Sequence, residues 1–115
     1  MRTLLTAIAS FMLLAVISVE SKGAVLTATC KYQSGLSTYV LKFDLTAGSG
    51  DIRYRFMDQD VFYTAHIQQI TDSELRGIAV FSRSNSGETK GNPFNFVFNI
   101  RENVFYELNV SAPCD

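Results

Sequence analysis

The chain has no tryptophan, one histidine, two prolines and two cysteines in 115 residues, and its ten basic and eleven acidic side chains almost cancel. Each shortage excludes something. A net charge of −1 with no face-forming basic cluster argues against nucleic acid and anionic membrane as partners. The lone His66 lies between Thr64 and Gln68, and no G-x-S-x-G elbow supplies a nucleophile for it to activate. Zinc-ligand spacing of His and Cys is missing, as are EF-hand spacing and a glycine-rich phosphate loop. The sequence therefore assigns no catalytic residue, no metal ligand and no cofactor.

Only one long hydrophobic run occurs, over residues 4–19, preceded by Arg2 and followed by small residues. That is the layout of a secretory signal peptide, and about 16 residues is short for a membrane span of roughly 20. Val19 and Ser21 place the cleavage after Ser21, with Ala24 as the second candidate. The expectation is a leader over 1–21 and a single domain over 22–115. That domain would be secreted or periplasmic and free of the membrane after cleavage.

What remains is rich in apolar residues that alternate with polar ones. Tyr39, Leu41, Phe43 and Leu45 stand opposite Lys42 and Asp44, while Ile52, Tyr54 and Phe56 stand opposite Arg53 and Arg55. Val61, Tyr63, Ala65 and Ile67 follow the same rule. Period two marks strands with one buried face, and no helical period is found outside the leader. The reading is an all-β antiparallel meander of about seven strands, forming a barrel or a two-layer sandwich. A polar loop, "SRSNSGETKGNP", precedes the last hairpin. There, Phe94, Phe96, Phe98 and Ile100 are read as one face. After a turn at "REN", Val104, Tyr106, Leu108 and Val110 are read as returning along it.

Cys30 and Cys114 lie at opposite ends of that domain, and in an exported protein they read as one disulfide. With seven strands, the first and last run parallel, and the bridge joins them at a common rim. The acidic pairs Asp58/Asp60 and Asp72/Glu74 fall at predicted turns, where such residues bind backbone amides. Asn109-Val110-Ser111 is a glycosylation sequon.

One feature breaks the alternation. Phe62, Ile78, Val80, Val97 and Phe105 fall on the nominally wet face and mark an apolar outer patch for a protein partner or for self-association. The reading is a non-enzymatic binding protein. The alternative is a lipocalin-like carrier of a small apolar ligand inside the barrel, which the many inward aromatic residues oppose. A carboxylate-based hydrolase is the weakest of the three. Intact-mass measurement of the protein isolated from its host should give a chain starting at Lys22 or Val25, about 2 Da lighter than the reduced form. A full-length or fully reduced mass would overturn the export reading.

Overall fold

The computed structural model describes residues 24–85 and 91–115. The leader reading of 1–21 and the tip of the polar loop, 86–90, lie outside the described residues. The described chain forms β1 (Val25–Tyr32), β2 (Ser37–Asp44), β3 (Ser49–Phe56), β4 (Gln59–Ile70), β5 (Glu74–Ser84), β6 (Phe94–Asn99), β7 (Val104–Glu107) and β8 (Val110–Pro113). A single 3₁₀ turn, Gln33–Gly35, joins β1 to β2. Each strand pairs antiparallel with its sequence neighbours, so eight strands make one sheet in simple order. The sheet curls into a nearly closed barrel, not a two-layer sandwich.

The alternation explains most of the pairing. In β2, Ser37, Tyr39, Leu41 and Phe43 are all buried, and the residues between them face outward. A one-residue slip would turn every one of them to solvent, so the buried face fixes the register.

The last hairpin differs from the sequence reading. Its turn is four residues, 100–103, and places Asn99 opposite Val104 and Phe98 opposite Phe105. Asn103 takes the left-handed conformation (φ 61) that asparagine tolerates, and its amide donates to the Asn99 carbonyl at 2.8 Å. The Asn99 side chain accepts from the Glu102 amide at 2.8 Å. One extra turn residue inverts the face of the strand that follows it, β7. Phe105, expected on the outer patch, is therefore completely buried, while Tyr106 and Leu108 are exposed.

The expected seventh strand is also broken in two. Glu107 pairs with Val110 across a two-residue turn at Leu108 and Asn109, which makes the count eight. Even parity makes β1 and β8 antiparallel, so the bridge does not join two parallel ends at a rim. Instead, strand stagger brings Cys30 opposite Cys114 as an antiparallel pair, with the disulfide closed and the Asp115 amide donating to the Thr29 carbonyl at 2.9 Å.

Inside, aromatic rings cross from wall to wall. Phe43 of β2 stacks on Phe96 of β6 at 5.5 Å and lies 6.3 Å from Phe98, and Phe96 stacks on Phe105 of β7 at 6.0 Å. Two glycines make the room. Gly50 pairs with Phe43 and Gly77 with Phe96, and a Cβ at either would strike the facing ring. The lower lumen is thus filled by side chains, as small barrels require. Phe105→Ala should cost about 3–5 kcal/mol, as large core truncations do. Val97→Ala, on the outer wall, should cost under about 1 kcal/mol. Equal urea midpoints for the two variants would overturn this assignment of faces.

Candidate functional site

In an up-and-down barrel, alternate connections share one end. The β1–β2, β3–β4, β5–β6 and β7–β8 connections lie at the end described here as the mouth. Tyr39 and Tyr54 are cross-strand partners two residues from the mouth ends of β2 and β3. Tyr63 follows on β4, Phe94 opens β6, Glu107 closes β7 and Val110 opens β8. The six side chains line a cavity of about 270 Å³.

The rings pack in two pairs. Tyr39 lies 5.0 Å from Tyr54, and Tyr63 meets Phe94 edge-on at 4.9 Å. Phe105 of the core lies 4.9 Å from Tyr39. The Tyr39 hydroxyl donates to Glu107 Oε1 at 2.8 Å. Burial, reinforced by that hydrogen bond and the carboxylate's charge, holds the Tyr39 phenol well above its ordinary pKa. Burial also raises Tyr63, with smaller contributions from the charges of Glu107 and Tyr54. Gly91 passes so close over Tyr63 that a Cβ there would collide with its hydroxyl. Among the described residues, no lysine, arginine or histidine lines this cavity, so Glu107 has no counter-charge in it.

The connections around the mouth are unusual. β3–β4 and β7–β8 are two-residue hairpin turns whose first central residues, Met57 and Leu108, have φ of 58 and 49. Glycine is the favoured residue at such a position, and a bulky side chain there costs about 1–2 kcal/mol. Both side chains are exposed, at 72% and 83%, and Leu36 on the β1–β2 connection is 51% exposed. The Met57 turn is held firmly. Asn85 donates from its side chain to the Asp58 carbonyl at 3.0 Å and accepts from the Asp60 amide at 3.1 Å, and Arg55 pairs with Asp60 at 3.1 Å. Connections at the other end carry Leu45, Thr46, Ala47 and Gly48, then Thr71, Asp72 and Ser73, then Ile100, Arg101, Glu102 and Asn103, with Leu45 and Ile100 turned in against the core. Their positive-φ positions are Gly48 and Asn103. Val25 and Ile70 are exposed near that end, but as strand termini and not as turn tips.

The outer-patch residues are separated by polar partners. Phe62 is opposite Arg53 and lies under the Arg83 guanidinium at 3.9 Å. Ile78 sits between His66 and Asn95, and Val97 between Arg76 and Tyr106. Val80 is exposed opposite Thr64, and Phe105 belongs to the core. His66 is exposed on the wall. Of the acidic pairs, Asp60 binds Arg55, Glu74 binds Arg76 at 2.9 Å and Asp72 approaches Arg101 at 4.0 Å. No group of three or more potential metal ligands occurs among the described residues. Asn109 of the sequon is exposed beside Leu108.

Sequence reading placed the three tyrosines inward but missed Glu107, because the inverted phase sent it outside. The asparagine at 103, a residue suited to positive φ, was the one signal for the longer turn. No protein-family model, no curated protein and no solved structure matches this chain.

A tyrosine whose pKa is raised in the fold keeps its proton while the unfolded chain loses it above about pH 10. Stability from Tyr39 and Tyr63 is therefore complete below that pH and falls as pH rises above it. The urea midpoint should drop on going from pH 9 to 11, and less steeply in Tyr39→Phe. An identical slope in the two proteins would contradict the buried, carboxylate-bound phenol.

Proposed function

We propose that this chain is an exported, non-enzymatic binding domain that grips a protein partner with the mouth end of its barrel. The observation that carries the reading is the placement of Met57 and Leu108 at two glycine-favouring turn positions, exposed and strained, on the same end as the tyrosine-lined cavity. Strain of this kind persists where function requires it. Glycine or asparagine would be cheaper in both turns, and the opposite end uses them.

The partner's class follows from charge. The mouth end offers Asp58 and Glu107 beside its apolar tips, while Lys31 and Arg55 there face Asp115 and Asp60, and this suits a basic protein surface better than an anionic bilayer. Export is supported by the leader-like run and by the Cys30–Cys114 disulfide, a bond that persists in oxidising compartments. Among the described residues, no helix is long and apolar enough to cross a membrane. Against the carrier alternative, Phe43, Phe96, Phe98 and Phe105 occupy the lumen below the mouth. Against a hydrolase, Glu107 is the one carboxylate in the cavity lining and already accepts a hydrogen bond from Tyr39.

A photo-crosslinking residue at position 57 or 108 should capture a protein in the native host, and one at position 97 on the wall should not. Met57→Asn with Leu108→Asn should abolish binding of the captured protein while keeping or raising the melting temperature. Capture from position 97 alone, or undiminished binding by the double variant, would defeat the reading.

A further inference from the structure

We propose that the mouth cavity is a receptor for a lysine side chain, an alkylammonium group presented by the partner. This rests on the binding function proposed above and names the chemistry of its central contact. Four observations carry it.

The first is an unbalanced charge. Glu107 is half-buried among Tyr39, Tyr54, Tyr63 and Phe94, and no basic residue among the described ones lines the cavity. A carboxylate withdrawn from water without a cation is unfavourable, and a cationic ligand would relieve it. The second is the aromatic wall. Ring faces attract cations, and tyrosine and phenylalanine are among the rings that do so. The third is size. A cavity of about 270 Å³ is just below the range that holds drug-sized ligands, and suits one side chain better than a free cofactor.

The fourth distinguishes ammonium from guanidinium. Glu107 Oε1 is taken by the Tyr39 hydroxyl at 2.8 Å, which leaves Oε2 without a donor among the described residues. A guanidinium is best held by two free carboxylate oxygens in parallel, and this site offers one. An ammonium is a point charge with three donors. Glu107 Oε2 and the hydroxyl oxygens of Tyr54 and Tyr63, neither hydrogen-bonded to a described residue, can accept all three. Tyr39 then acts as a positioning residue. A carboxylate only accepts, so the Tyr39 hydroxyl is the donor and fixes which carboxylate oxygen faces the ligand.

The apolar tips and the acidic pocket divide the work of recognition. Leu36, Met57 and Leu108 cover contact area, while Glu107 selects a basic side chain within it. The absence of tryptophan makes tyrosine emission a direct reporter of the site.

The test uses the purified full chain and three probes: Nα-acetyl-lysine methylamide, the arginine analogue and the neutral norleucine analogue. Amide shifts in two-dimensional NMR and tyrosine fluorescence are followed in parallel. The lysine probe should shift Phe94, Glu107 and Val110 with millimolar affinity, at least fivefold tighter than the arginine probe and tenfold tighter than norleucine. Glu107→Gln, which keeps an acceptor for Tyr39, should weaken the lysine probe at least tenfold with an unchanged melting temperature. If that variant unfolds, Tyr54→Phe with Tyr63→Phe serves instead and should weaken the lysine probe at least threefold. Arginine binding as tightly as lysine, norleucine matching both, or no shift up to 50 mM lysine probe would overturn the proposal. Failure here is separable from failure of the binding function. Crosslinks from positions 57 and 108 without any lysine-probe shift refute the lysine receptor and leave the mouth-end interaction standing. Lysine-probe shifts without any crosslinks support the receptor and refute the protein partner.

Discussion

Everything inside this barrel depends on its two edges staying together. Phe43 comes from the second strand, and the rings it packs against come from the sixth. That contact exists only if the sheet curls fully round. The closing strand is the weak point, because β8 has four residues and can contribute few ladder hydrogen bonds. An unpaired edge also invites association with other chains. The Cys30–Cys114 bond compensates on both counts, tying the edges covalently where the two cysteines pair and Asp115 donates to Thr29. Closing a loop of 84 residues is worth about 4–5 kcal/mol on chain-entropy grounds. That is comparable with the whole stability of a small domain.

Closure also divides the interior. Below, stacked rings cross from wall to wall against the two glycines that face them. Above, the sequence of inward residues changes from phenylalanine and leucine to tyrosine and glutamate, and a small polar-lipped cavity results. Tyrosine suits this boundary because its ring can be buried while its hydroxyl reaches a partner or solvent. The site is therefore a continuation of the core, built on strands and not on loops, so its geometry inherits the rigidity of the sheet.

Much of this was legible in the alternation alone. Tyr39, Leu41, Phe43, Ile52, Val61 and Ala65 face inward as their spacing requires. The failures share one cause. Period two says which residues go together but not where the phase resets, and turns reset it. The four-residue turn at 100–103 inverted the last hairpin, moved Phe105 into the core and brought Glu107 inside. The break at Leu108 was invisible because the turn uses leucine where glycine would have announced it. The pairing of the cysteines was inferable, but its antiparallel geometry was not, because it depends on strand parity and stagger. The cavity could not be read at all, since it is assembled from six strands, β2 to β4 and β6 to β8, that meet only when the sheet curls.

The disulfide has one more consequence, which concerns wear. Every connection of the sheet falls inside the ring that Cys30 and Cys114 close. A protease that cuts any one turn cannot release a fragment, because the two pieces remain joined through sulfur and held in register by their neighbours. Exposed loops are the first places a protease cuts, and the domain can be nicked there and still keep its two pieces joined.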